Sequence, residues 1–268
     1  LIFVTGCSAV GENRFQSGPA EAQTSPMQEQ LSTVPELDGP KITVALYEFR
    51  DKTGQRQPSR NVASLSTAVT QGAEVWVIKS LQEVGNGSWF DVVERVGLDN
   101  LVKERQLIRN TRENYGEADN RLQPMQFAGI ILEGGIVGYD DNIVTGGAGA
   151  RYLGIGVNTE YRVDTVTVVM RLVSVSTGRV LTSVATEKTI LSTRTGANMF
   201  RFFDMGTRLI EVESGMSANE PVNYAVRAAI EAGIIELIYQ GEEKQLWKFK
   251  EGNSNEKNNI IFDFGGDM

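Results

Sequence analysis

Few side chains in this sequence can do chemistry, and the missing types narrow the field. The 268 residues hold no histidine and one cysteine. Without histidine there is no Ser-His or Cys-His nucleophilic pair, no imidazole general base and no imidazole metal ligand. One thiol forms no intramolecular disulfide. The most conspicuous carboxylate pair is Asp140 with Asp141. Neighbours on a strand point to opposite faces, so this pair cannot clamp one scissile bond, and solvation of a loop accounts for it. The cluster Gly146-Gly147-Ala148-Gly149 follows no compact strand-to-helix switch, and no GxxxxGK[ST] occurs, so no phosphate loop is expected. A net charge of -8 leaves no basic footprint for nucleic acid. The residues predict no enzyme, no metal and no bound cofactor.

The one cysteine is informative through its place. Leu1-Ile2-Phe3-Val4-Thr5-Gly6-Cys7-Ser8 is a short apolar run that ends in a small residue before Cys7. It resembles a truncated bacterial lipoprotein signal, with Cys7 as the lipid-bearing residue. Ser8, in place of an acidic residue, is similar to the pattern of lipoproteins sorted to the outer membrane. The alternative is a buried N-terminal strand with a free thiol. Residues 8–40, rich in Gly, Ser, Pro, Gln and Glu and without an apolar period, favour the lipid reading, because they read as a tether.

The elements beyond the tether follow from periodicity. Ile42 to Phe49 is β-rich and ends in the turn signal Asp51-Lys52-Thr53-Gly54. After a polar loop, Leu65, Val69, Trp76, Val77, Leu81 and Val84 predict a helix of roughly 20 residues capped by Ser64 or Ser66 and stopped by Gly85-Asn86-Gly87. Trp89 to Val93 reads as a short strand. Gly97 opens a second helix carrying Leu98, Leu101, Val102 and Ile108. Ile130 to Val137 reads as a buried strand. The β-α-β-α-β order implies a sheet covered by helices. Asn219-Glu220-Pro221 opens a last amphipathic helix that Gly241 ends.

Residues 139–215 differ: they contain no proline and no helical period. Val166, Val168, Met170 and Leu172 share one face of a strand that turns at Ser176-Thr177-Gly178 and returns over Val180 to Glu187, a core hairpin. Two excursions flank it. The first alternates Leu153, Ile155, Val157, Tyr161 and Val163 with Gly154, Gly156, Asn158, Glu160 and Arg162. The second turns at Thr195 to Asn198, then runs through Phe200-Arg201-Phe202-Phe203, with Ile210 and Val212 alternating with Glu211 and Glu213. Each is about two strands of 9–11 residues plus a turn, the length that crosses a bilayer. No run of 18 uncharged apolar residues occurs after the signal, so any crossing is made by strands. Asn158, Glu160, Arg162, Arg201, Glu211 and Glu213 are the lumen candidates. Leu153, Ile155, Val157, Phe200, Phe202 and Ile210 are the lipid-facing candidates, and Tyr152, Tyr161 and Phe203 suit interfacial belts. Two long hairpins packed on a soluble sheet are the alternative.

These segments also carry a resemblance. Gly138-Tyr139, Gly146 to Gly156, Val175-Ser176-Thr177-Gly178, Lys188 to Ser192, Phe200-Arg201-Phe202 and Asn219-Glu220-Pro221 look like the CsgG-type curli-secretion family, in order and over residues 41–247. The resemblance implies an α+β fold: a periplasmic α/β domain, with a mixed sheet and flanking helices, that gives two transmembrane β-hairpins to an oligomeric β-barrel. It implies an outer-membrane lipoprotein and a ring of about nine protomers, hence about 36 strands. It implies ATP-independent, diffusive export of unfolded curli-type amyloid subunits, with periplasmic and surface accessory factors as partners. The expected organisation is a truncated signal (1–6), a lipidated tether (7–40), the α/β domain (41–139, 164–186 and 214–247), hairpins at 140–163 and 187–213, and a loose tail (248–268).

In the family, the loop before the first helix forms the narrowest ring, lined by aromatic and amide side chains. By position, Ser64 and Leu65 stand for an asparagine and a phenylalanine, and Ser59 or Arg60 for a tyrosine. The typical constriction chemistry is therefore not kept, and Arg60 at the axis would make a cationic ring. Alternatively, Leu65 simply begins the buried stripe of the helix. A periplasmic binding or scaffold lipoprotein without a pore is the competing function.

Overall fold

The computed structural model describes residues 26–55, 68–116, 121–145, 160–195, 199–204, 212–213 and 220–250. Their centre is one seven-stranded sheet of order β2-β1-β3-β4-β5-β6-β7. Strand β1 (Ile42–Asp51) runs parallel to both β2 (Phe90–Glu94) and β3 (Ile130–Thr145). From β3 onward every pair is antiparallel, through β4 (Glu160–Ser174), β5 (Val180–Thr195), β6 (Met199–Asp204) and β7 (Val212–Glu213). Parallel neighbours need crossovers, which are supplied by helix α2 (Ala73–Gly87) and by α3 (Leu98–Asn114) with the strap after it.

One face of the sheet is the core face. Val44, Leu46 and Phe49 of β1 are buried there, although Leu46 and Phe49 are three residues apart. A register shift between those two residues leaves Tyr47 and Glu48 outside and returns Phe49 to the core. A second shift, between Ile136 and Gly138, does the same for Tyr139. Val166, Val168, Met170 and Leu172 fill the middle of the face, as their alternation predicts. Gly134 lets β1 and β4 close over β3, since a Cβ there would lie 2.4 Å from the Val169 carbonyl and 2.5 Å from the Phe49 ring. Helix α4 (Glu220–Glu243) covers β4 and β5, and α2 packs on β1, β2 and α4.

Four boundaries differ from those read in the sequence. Residues 26–40 belong to the body and not to a tether: helix α1 (Gln28–Thr33) buries Leu31, and Val34 and Leu37 follow it into the core. Six residues are too few to show a helical period, so that anchor is illegible in the sequence. Helix α2 starts at Ala73 with Gly72 as its N-cap, not at Ser64 or Ser66. Ala68 and Val69 are buried ahead of it without being helical, so the apolar stripe is a loop residue pair plus a helix face. Residues 248–250 are not loose. Phe249 bridges to Leu37, and Lys250 pairs with Glu36 at 2.9 Å. Gly241 does not end α4 but lies inside it, where a Cβ would be 2.0 Å from the Trp247 ring, so the missing side chain lets the chain fold back.

That return builds an aromatic corner. Trp89 stands edge-on to Trp247 at 5.7 Å and to Phe249 at 5.8 Å. Both buried indoles donate to backbone carbonyls, Trp89 to Pro35 and Trp247 to Ile238, each at 2.8 Å. On α4, Arg227 donates to Glu231 at 3.1 Å and lies 4.4 Å above the Trp76 ring. Glu231 also accepts the Met27 backbone N–H at 3.0 Å, which fastens the start of α1 to the body. Helix α3 buries no residue and rides on the surface. Its strap is held by Arg105 donating to the Gln123 carbonyl and Arg95 to that of Gln126.

Candidate functional site

The sheet has two lengths. Strand β1 ends at Asp51, opposite Ile136, whereas β3 runs on to Thr145. Strands β4 and β5 match it, with Thr145 level with Glu160 and Glu160 level with Arg194. Three strands of 15 or 16 residues, each about 50 Å long at ~3.3 Å per residue, leave the body together and take β6 with them. The described parts of the excursions read in the sequence lie on these strands. They begin as continuations of the core strands, with no break at residues 140, 163 or 187. Alternation runs unbroken because one pleat serves both the core and whatever lies beyond it.

The loop assigned to the constriction springs from the same level. Its two ends are pinned together: the Ala68 N–H donates to the Gln55 carbonyl at 3.0 Å. Asp51 organises the stem, accepting the Thr53 N–H at 2.8 Å, the Thr53 hydroxyl at 2.6 Å and the Gln71 amide at 3.2 Å. The Lys52 N–H donates to the Ile136 carbonyl, which ties the stem to β3 at the point where β3 outgrows β1. Ser59, Arg60, Ser64 and Leu65 themselves lie outside the described residues, as do Cys7, Tyr152, Leu153, Ile155, Val157, Asn158, Ile210 and Glu211.

At the junction, the core face turns polar. Asp164 is 2% exposed and accepts the Tyr139 hydroxyl at 2.9 Å. Asp141 stands opposite Asp164, and Lys188 is level with Val166 and Tyr139. Of these groups, Asp164 is not singled out in the sequence. The signal is present, because Asp164 falls in phase with Val166, Val168 and Met170, where another aliphatic residue would be expected. On the other hand, Asp140 and Asp141 face register partners in successive rows, Thr165 and Asp164, so they stand on opposite faces.

The extension can be traced by register. On β4, Glu160 and Arg162 stand at register positions four and two residues before Asp164, level with Thr145 and Ile143 of β3. In the β5–β6 pair, Phe200 is level with Arg194, Phe202 with Ser192, Phe203 with Leu191 and Arg201 with Thr193, while Glu213 of β7 is level with Phe202. Since Arg194 is level with Glu160 and Ser192 with Arg162, both phenylalanines share rows with the β4 charges, and Arg201 shares a row with Tyr161. In this register the lumen candidates of β4 and the lipid-facing candidates of β6 are level with one another. Alternation fixes faces within a strand, but only the turn fixes the phase between strands.

The geometry describes a body that projects a multistranded ribbon with a pinned loop at its root. A family model described as "Curli production assembly/transport component CsgG" matches residues 26–265. Proteins of that description are similar over most of the chain. The one from Escherichia coli K12 is 43% identical over 236 residues, covering 87% of this chain and 82% of its own. Those from Citrobacter koseri and Salmonella typhimurium are 44% and 42% identical, over 82% and 87% of this chain and 78% and 83% of theirs.

The chain belongs to the CsgG family.

Membership places the α+β fold with its mixed sheet in a family of curli assembly and transport components. The family's description is one of assembly and transport. Among the described residues no group of three or more candidate side chains could hold a metal, and no helix is long and apolar enough to cross a membrane.

Proposed function

We propose that this chain is a subunit of an outer-membrane secretion pore that exports unfolded curli-type subunits by diffusion, without ATP or a bound cofactor. The observation that carries the proposal is the joint departure of β3, β4, β5 and β6 from the body at the level of the pinned loop. A ribbon open at both edges cannot stand in lipid, because its outer N–H and C=O groups would be unpaired. Copies of the ribbon side by side remove every edge, so membrane insertion and ring closure are one event. Two hairpins per subunit, over 140–163 and 187–213, and about nine subunits make a barrel of about 36 strands. The lipid on Cys7 holds the ring to the inner leaflet of the outer membrane, with the α/β body in the periplasm. There, accessory factors and cargo approach it.

In this arrangement the loop at the root of the ribbon meets its copies at the axis, and Ser59, Arg60, Ser64 and Leu65 line the constriction. Asn158, Glu160, Arg162, Arg201, Glu211 and Glu213 face water in the barrel, and Leu153, Ile155, Val157, Phe200, Phe202 and Ile210 face lipid. Meeting both sets at once requires β6 to shift by one residue against β5, and β7 by one against β6, relative to the register of the isolated subunit.

Planar-bilayer conductance of the purified protein tests the pore. Wild type should give discrete channels, and Arg60→Ala with Leu65→Ala should raise unit conductance and weaken anion preference. A silent wild type would overturn the pore and favour a scaffold lipoprotein. An unchanged double variant would overturn only the constriction assignment.

A further inference from the structure

Strand β2 is the outermost strand of the body, and its outer edge has no backbone partner among the described residues. It is five residues long, and its core side is apolar: Phe90 is buried and Val92 is partly buried against the core, beside Ile42 of β1. An edge of this kind is a template for pairing with any extended chain. The described chain leaves the body beside it. Phe249 packs on Trp89, the residue before β2 begins, and the Lys250 N–H donates to the Glu36 carbonyl just ahead of β1.

Beyond Lys250 the chain has the composition of a linker and then of a strand. Glu251-Gly252-Asn253-Ser254-Asn255-Glu256-Lys257-Asn258-Asn259 is polar and rich in turn formers. Ile260-Ile261-Phe262-Asp263-Phe264 then alternates, with Ile260, Phe262 and Phe264 in one phase and Ile261 and Asp263 in the other. The nine linker residues span up to about 30 Å, against about 17 Å for the whole of β2, so the segment reaches the edge from either end.

We propose that Ile260–Phe264 of the same subunit adds to the outer edge of β2 as a further strand, with Ile260, Phe262 and Phe264 extending the apolar margin formed by Phe90 and Val92. The match in length, the exit point at Trp89 and the period-two pattern point to the chain's own tail and not to a foreign peptide. The strand closes the one edge of the body that lies away from the extended ribbon. This pairing is independent of any pore.

The test uses the full chain with Cys7→Ser, so that introduced thiols are the only ones. Val92→Cys with Phe262→Cys places one thiol at the centre of each strand, a pairing insensitive to strand direction. Oxidation should give an intrachain disulfide, seen as a reducible mobility shift at unchanged subunit mass. Removing residues 260–268 should speed amide exchange in the outward half of β2 by about tenfold or more, while the amides facing β1 stay protected. A ladder of covalent dimers would overturn the assignment to the same subunit. No crosslink together with unchanged exchange would overturn the strand itself.

Discussion

Asp164 is a carboxylate in a row of aliphatic side chains, and its environment explains how it is tolerated there. It is almost fully buried and takes the Tyr139 hydroxyl as a donor. Removing that donor leaves a buried acceptor short of a bond, which costs about 1–3 kcal/mol. Tyr139→Phe should therefore lower the denaturant midpoint of the full chain without changing the slope, and an unaltered midpoint would show that the pair contributes nothing. Arg227 and Glu231 obey a similar logic at higher stakes, because both partners are buried. Glu231→Gln removes the carboxylate charge beside the buried guanidinium and one of the two acceptor oxygens that serve Arg227 and the Met27 N–H, and a loss of about 3–5 kcal/mol is expected. Replacing both residues by apolar ones should recover most of it, as a double-mutant cycle would report. Gly241 is fixed by space alone. Gly241→Ala forces Trp247 away from α4, so a loss of about 1–3 kcal/mol should accompany a red shift of tryptophan emission.

At the scale of elements, the strands are legible in the sequence because alternation survives burial on one face. Val166 to Leu172 and the turn at Gly178, which has a φ of +68°, stand where that alternation puts them. The start of α2 is not legible, because Val69 is buried from a loop, and burial alone cannot separate a helix face from a packed turn. Helix α3 runs from Gly97 onward as expected, yet its apolar residues reach no core, with Leu107 59% exposed. The phase of β6 is the element-scale quantity that matters most for function. In membranes, single cysteines at Phe200, Arg201 and Phe202 should react with a water-soluble maleimide in the order 201 above 200 and 202 if the shift proposed for the ring occurs. The reverse order would mean that the subunit's own register persists in the barrel.

The whole molecule is asymmetric in its needs. Its body has a core of its own, shared by three helices and five strands. Among the described residues, β3 beyond Ile136 has no partner on its β1 side, and the pore reading assigns that edge to a neighbouring copy. Cys7→Ala should accordingly abolish outer-membrane fractionation while leaving the body folded, as judged by the buried tryptophans. Retention in the outer membrane without the thiol would show that the strands alone suffice for anchoring.

The sequence by itself determined the strand alternation, the mixed order of strands and helices, the poverty of catalytic side chains and, through motif order, the family. Those properties are local or compositional, so one chain read in order is enough to find them. The tertiary structure decided that residues 26–40 and 248–250 belong to the body, that the excursions are continuations of the core strands, and that Asp51 pins the loop at their root. Each of these depends on contacts between residues far apart in the chain, where the energy lies in pairing and packing and leaves no periodic trace.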